Sequence, residues 1–324
     1  CALALADEGC VVWINGRNAA RLASAAEQIR RATHGVVHPV QADINTEAGR
    51  DAGLRAACLD ERLGRLDALV RLLGDADQAM VTRAIGAVES LPDPTRCRDA
   101  QAWRRSAPVP DDPEQREVVE ALRLRMAEVH ALSATGRLQD APAQAGDLLA
   151  RARELGYGPA IAEMLFAVGG SRAQIGDFAG ALPLVEEGVL LARTHGLEQL
   201  EADLLSPLVF LHTVYTGQLE LAAWHSRVQE TLLERLGDAP RDKARALVDR
   251  ARLERQREHT DEAIALYERA VTLYQQDRGE GPDGGDGPGL VTAYDNLAAA
   301  YIIAERYDEA SATIERAEDR KTHV

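Results

Sequence analysis

The chain has 324 residues, more than one compact core usually shelters, so it divides into domains or extends as an array. Hydrophobic residues at 46% and charged residues at 27% exclude a disordered chain, and no apolar run reaches the length of a membrane-spanning helix. A formal net charge of −15 excludes a nucleic-acid binder, because a phosphate backbone would be repelled.

The first fifty residues alternate between helix and strand. Ala2 to Glu8 reads as helical, with Gly9 placed to end it. Val11 to Asn15 has the apolar β-former pattern of a buried parallel strand. Asn15-Gly16 turns the chain, Asn18 caps a helix through Leu22, Ala25 and Ile29, and Val36 to Gln41 reads as a second strand. That order is a β-α-β unit. The chain opens on Cys1 without the basic n-region of a signal peptide, as if it began inside something longer. Cys1, Cys10, Cys58 and Cys97 are widely spaced with no C-x-x-C pair, which points to buried reduced thiols and a cytoplasmic location. The scattered histidines include no H-E-x-x-H, so no metal site is expected.

The stretch ALALADEGCVVWINGRNAARL followed by VVHPVQADI resembles the short-chain dehydrogenase/reductases, which have a Rossmann fold. The resemblance implies that Arg17 holds the 2′-phosphate of NADP and Asp43 contacts the adenine. A guanidinium just after a strand can fork onto a phosphate, so the first role is physically sound. The match begins after the family's glycine-rich loop, which leaves no helix N-terminus for the pyrophosphate. The family's Tyr-x-x-x-Lys is also missing, since Ala239 and Ala317 stand four residues before Lys243 and Lys321. Residues 1–52 are therefore expected to be a partial Rossmann fragment that takes NADP only if completed, and no catalytic residue is assigned.

From about Leu54 the pattern is helical to the end. Cys58, Leu59, Leu63, Leu66, Leu69 and Val70 recur with helical period, and a second helix follows through Met80, Ala84, Ala87 and Val88. Leu91-Pro92-Asp93-Pro94 stops it, and Pro108, Pro110 and Pro113 interrupt again, with Asp111 and Asp112 as linker residues. These features bound a helical segment at 53–113.

Residues 114–324 repeat. GRLQDA, GDFAGA, GQLELA, EHTDEA and ERYDEA align on Ala141, Ala181, Ala222, Ala263 and Ala310, with spacings of 40, 41, 41 and 47 residues. A constant period of this size means stacked helix-turn-helix units. Gly136, Gly176 and Gly217 let the first helix (A) end. Leu138, Phe178, Leu219 and Tyr307 are expected to plug the gap between A and the second helix (B), and the shared Ala stays small where the two cross. Pro142 and Pro183 fall near the first turn of helix B, where an amide has no acceptor to lose. Pro207 either delays or kinks the first helix of repeat three. Ser226 and Gln229 replace apolar residues in the second helix of repeat three, and Gly188 stands where a larger Ala is usual in repeat two. The 47-residue step comes from GEGPDGGDGPG, residues 279–289, a linker lacking the ligands of a calcium loop and the Lys of a phosphate loop.

These repeats resemble a tetratricopeptide repeat array, best in the last unit, where Tyr294, Leu297, Ala298, Tyr301, Tyr307, Ala310, Ile314 and Ala317 fall at signature positions. Repeat four contributes Ala263, Tyr267 and Ala270. The fold class expected is mainly α, a tetratricopeptide-like α-solenoid of helix pairs with a small N-terminal α/β fragment. The resemblance implies a protein or peptide partner in the concave groove, with Glu163, Phe166, Asp295 and Ala299 as liners. ACLDERLGRLDALVRLL, AIGAVESLPDPTRCRD and PVPDDP resemble the helical region between the catalytic part and the repeat array of large bacterial (myxobacterial-type) serine/threonine protein kinases. That implies a regulatory or partner-binding role in kinase-type signalling. The kinase itself is not encoded here: no glycine-rich loop with its strand Lys, His-Arg-Asp or Asp-Phe-Gly occurs, and Gly176-Asp177-Phe178 is a repeat turn. A gene fusion, a decayed locus or a misdefined reading frame would each account for the joint at 51–57.

Overall fold

The computed structural model describes residues 12–16, 18–33, 37–41, 47–74, 76–89, 91, 97–98, 110–237, 239–276 and 288–322. The chain divides into two compact units, one of residues 1–64 with 93–120 and one of 65–92 with 121–324.

In the first unit, β1 (Val12–Gly16) and β2 (Val37–Gln41) pair in parallel, Val12 opposite Val37 and Gly16 opposite Gln41. Helix α1 (Ala19–Thr33) links them, its start capped by Asn18 Oδ1, which accepts from the Arg21 amide at 3.0 Å. Leu22, Ala26 and Ile29 form its buried face, and Ala26 and Ile29 pack with Val37. The β-α-β order is as the sequence implies. The expected helix at Ala2 to Glu8, and Cys1, Cys10, Arg17 and Asp43, lie outside the described residues.

Helix α2 (Glu47–Gly74) is continuous through the stretch where the sequence changes character. Cys58 on α2 is bonded to Cys97, which sits on a single 3₁₀ turn. Both are buried as expected, but they are not free thiols. The correction is physical: a separation of 39 residues carries no pairing signal, and only the fold brings the two sulfurs together. Helix α4 (Pro113–Ala134) begins with proline at its first position and Asp112 as cap, its Oδ1 accepting from the Glu114 amide at 2.9 Å. Asp112 is thus a helix start as well as linker.

The second unit is a stack of helix pairs. After α3 (Gln78–Glu89) and the rest of α4 come α5 (Ala141–Leu155), α6 (Gly158–Gln174), α7 (Phe178–Thr194), α8 (Glu198–Leu211), α9 (Leu219–Leu236), α10 (Pro240–Gln256), α11 (Thr260–Gln276), α12 (Pro288–Ile303) and α13 (Tyr307–Thr322). From α5 onward every helix packs on the next. Four A–B pairs result, and α4 adds a fifth by sharing a core with α5, Leu122, Met126 and Val129 with Ala145 and Leu148; this is the tetratricopeptide-like arrangement that the period predicts.

The local chemistry explains the register. At each A–B turn one residue is left-handed: Gly136, Gly176, Gly217, Glu258 and Glu305, with φ of 83°, 82°, 67°, 66° and 58°. Five residues on, the shared Ala is buried in all five repeats. Gly169 marks a close crossing in repeat two, since a Cβ there would come within 2.6 Å of Val185 Cγ2. Gly188 is explained by the next repeat, because its missing Cβ is replaced by the Leu204 side chain.

Several expectations change. Pro183 lies inside α7, beyond the first turn, so it forfeits the bond to the Ala179 carbonyl. Pro142 does sit in the first turn of α5. Pro207 lies inside α8 and does not delay its start; the helix then finishes in a π turn, His212–Thr216. Pro288 and Gly289 belong to α12 and not to a linker. Phe178 packs against the core that holds Ala162, Ala181 and Val185 of its own pair and also edge-on against Phe210 of the next repeat, centroids 5.6 Å apart. Tyr307 and Ile314 are exposed. The apolar set on α2 also divides: Cys58 and Leu69 are buried, whereas Leu59, Leu63, Leu66 and Val70 face outward, as does Val88 on α3.

Candidate partner-binding face

Numbering back from each turn residue defines one face of the A helices. Thirteen, ten and six residues before Gly136, Gly176, Glu258 and Glu305 stand Arg123, Met126 and His130; Glu163, Phe166 and Gly170; Arg245, Val248 and Arg252; and Thr292, Asp295 and Ala299. Such spacing keeps the three on one side of a helix. In repeat three the π turn inserts one residue, so the equivalents are Asp203, Ser206 and Phe210. All four liners read from the sequence therefore lie on this face, in repeats two and five.

Neighbouring repeats touch through it. Arg123 forks onto Glu163, Nε to Oε2 at 2.8 Å and Nη2 to Oε1 at 2.6 Å. Arg245 bonds Asp203, Ser206 bonds Asp249, and the Arg252 guanidinium lies 5.1 Å from the centroid of the Phe210 ring. Glu163 is thus partly engaged within the array, and Phe166 is half-buried against the core around Ala162 and Val185. Asp295 is exposed and Ala299 half-buried. The sequence reading missed Arg123, Asp203, Arg245 and Arg252. The turn-anchored count reveals them, apart from Asp203, which the π turn shifts.

The middle of the face is charged and partly dehydrated. Asp242 and Asp249 are buried, and burial raises the Asp203 and Asp249 carboxyls above their ordinary range. For Arg245, burial is opposed by Asp203 and Asp242, and the balance leaves its guanidinium held more firmly protonated. Arg252 answers Asp249 at 3.0 Å. The cluster fixes α8 to α10 and presents mixed charge to a ligand.

Two further groupings involve α9, α10 and the turn after α10. A cavity of about 250 Å³ between α9 and α10 is lined by Arg227, Arg250 and Arg257 with Ser226, Glu230 and Glu254. Glu254, His259 and Glu262 bring ligand-type atoms within 4.8 Å of one another. Arg257 already lies 3.3 Å from Glu254 and Arg250 3.5 Å from Glu262, so the group acts as an ion-paired turn. The Gly176-Asp177-Phe178 run is a capped turn, Asp177 Oδ1 accepting from the Gly180 amide at 2.9 Å. Among the described residues no helix is long and apolar enough to cross a membrane.

No protein-family model matches the chain, and no curated protein matches it. Among solved structures, the chain is similar to BtubC (BKLC) from P. vanneervenii, with TM-score 0.51 and 17% identity over 76% of this chain and 92% of that one. It also aligns with a putative kinesin light chain from Podosopora anserina with nearly identical TPR-like repeats, at TM-score 0.46 and 16% identity over 63% of this chain and 97% of that one. A singly substituted form of the latter gives 0.48 and 15%, covering 63% and 96%. At these identities the first likeness concerns the fold alone.

Proposed function

We propose that the chain is a non-catalytic protein–protein interaction scaffold whose A-helix face forms a concave groove for a protein or peptide segment. One observation carries the reading: direct side-chain contacts between equivalent positions join the A helices of repeats one and two, Arg123 to Glu163, and of repeats three and four, Arg245 to Asp203. A surface of that kind offers extended docking rather than an enclosed reaction pocket. The net charge of −15 favours a basic or neutral partner segment. The segment at 53–113 supports a finer reading, in which the partner is a kinase or another signalling protein and the chain is the regulatory part of a kinase-type system. The test is affinity capture from the source cell with wild type and with Phe166→Ala and Asp295→Arg. A partner lost from both variants is expected; capture that matches background, or that ignores both substitutions, overturns the reading.

The parallel β-α-β unit favours one second reading, an NADP-binding remnant of a short-chain oxidoreductase using Arg17 and Asp43. Calorimetric titration with NADPH decides it, and no heat of binding disposes of it. The cytoplasmic setting expected from reduced thiols is weakened by the Cys58–Cys97 bridge, since such bonds persist in oxidising compartments. Counting free thiols in protein alkylated at the moment of lysis separates the two settings.

A further inference from the structure

Helix α2 is apolar on two opposite sides. One side, with Cys58, Ala68 and Leu69, is buried, and the disulfide at Cys58 holds it inward. The other carries Leu59, Leu63, Leu66 and Val70, each between 41% and 58% exposed. Their steps of four, three and four residues place them on a single line, and half-buried Ala56 and Ala52 extend it toward the helix start at heptad spacing. A helix apolar all round is ordinarily covered all round. From Leu59 to Val70 the line is about 17 Å long.

The charges beside it select the cover. Arg55 and Arg62 flank one edge of the line, and Asp60 and Asp67 the other, each aspartate five residues after an arginine. When two identical helices lie parallel, a flanking residue of one meets the residue five places on along the other, so both meetings join Arg to Asp. An antiparallel pair would set Arg against Arg and Asp against Asp. Within the chain, Asp67 bonds Arg71 on its own helix, Arg62 lies 2.8 Å from Glu61 and Asp60 lies 3.8 Å from His38. Arg62 is 18% exposed and Asp60 29%, so each meeting brings one exposed group, Arg55 or Asp67, to one that is partly buried in its own chain, and the exposed Asp67 contact is exchanged at little cost. Val70 and Leu63 at one core position, with Leu59 and Leu66 at the other, match the alternation of a two-stranded coil.

We propose that this face docks a second copy of the chain, α2 against α2 in parallel, as a short two-stranded coiled coil. The proposal is independent of the A-helix groove, whose residues lie on other helices.

Sedimentation velocity of the full chain, from about 1 µM to about 100 µM, is the test. A monomer–dimer shift is expected, weakened at least about tenfold by Leu63→Glu and by Arg55→Glu. Circular dichroism should not change, because neither side chain is in the core. Val70→Cys should cross-link to a dimer under mild oxidation, since in parallel register the two positions adjoin, whereas an antiparallel pair sets them apart. A wild type that stays monomeric throughout overturns the proposal, and means that the chain's own residues or a different protein cover the line. A dimer that survives Leu63→Glu puts the interface elsewhere, and a dimer in which Val70→Cys fails to cross-link rules out the parallel arrangement.

Discussion

Glu258 and Glu305 occupy the same left-handed turn position in successive repeats, with φ of 66° and 58°, where the three earlier repeats place glycine. A side chain with a Cβ resists that conformation by about 1 kcal/mol or more. Glu258→Gly and Glu305→Gly should therefore each stabilise the array by about 0.5–1 kcal/mol, less the unfolded-state entropy that glycine adds. Gly176→Ala is the converse: a Cβ there meets nothing within 4 Å, so the loss of about 1 kcal/mol is purely conformational. Urea unfolding of the three variants measures all of it, and a destabilised Glu258→Gly would show that its side chain holds the turn.

The shared alanine sets the helix spacing. Ala181 is fully buried, and Gly169 on the facing helix leaves no slack beside it. Ala181→Leu should cost about 1–3 kcal/mol through overpacking. Ala181→Gly should cost about 1 kcal/mol through helix propensity. If leucine proves the milder change in thermal melts, the two helices are not tightly apposed.

The repeat was legible in the sequence because its determinants are local: a left-handed turn residue, a small residue five positions on, and a fixed period. Glutamates at two turns obscured the first rule, and alignment on the alanine recovered it. Long-range features were less visible. Helical periodicity shows that Leu59, Leu63, Leu66 and Val70 share a side of α2, but not that this side faces outward. The Cys58–Cys97 bridge depends on tertiary proximity. The π turn after Pro207 shifts Asp203 by one place against its counterparts, so a fixed spacing misses it. Glu163, Phe166, Asp295 and Ala299 could be placed because helix A is regular in repeats two and five.

The network between α8 and α10 holds three aspartates against two arginines. Arg245 bonds Asp203 and lies 3.7 Å from Asp242. Its removal takes a cation away from both carboxylates. Its side chain is 38% exposed, so Arg245→Met should cost about 2 kcal/mol, below the range for a fully buried pair. Asp249→Asn should behave differently. Burial raises the Asp249 carboxyl in the fold, so its contribution is present below the unfolded pKa and is lost as pH rises through the folded value. At neutral pH the ionised carboxylate is a cost, and Asn at that position should leave stability unchanged or higher. Denaturant midpoints at pH 7 test both, and a severe loss in Asp249→Asn would show that Arg252 and Ser206 outweigh the burial.

The Cys58–Cys97 bond closes a loop 39 residues long in sequence separation. Chain-entropy arithmetic puts its stabilisation at about 4 kcal/mol at most. Cys58→Ser should therefore lower the unfolding free energy of the first unit by about 2–4 kcal/mol and leave the repeat array folded. Hydrogen exchange resolves the two: faster exchange around residues 50–60 with unchanged protection in α8 to α13 is expected, and uniform loss would mean that the units unfold together.

His212 and His225 stack with ring centroids 5.4 Å apart at the π turn of repeat three, and His212 is almost wholly buried. Burial lowers both pKa values. For His225, the neighbouring His212 and Arg193 lower it further, to about 4, while Glu186 partly offsets the effect at His212. His130, half-buried, is lowered to about 3 by desolvation and by Arg65. Because the folded values lie below the unfolded value near 6.5, this stability is fully present above about pH 6.5. It declines as the pH falls through the folded values. Melting temperature should thus be level from about pH 8 to pH 6.5 and fall toward pH 4, apart from the opposite contribution of the raised aspartates. His225→Phe keeps the stacked ring but removes the site of protonation. It should flatten part of the decline and leave the part that belongs to His130. An identical pH slope in wild type and variant would remove the stacked pair from the account of acid sensitivity.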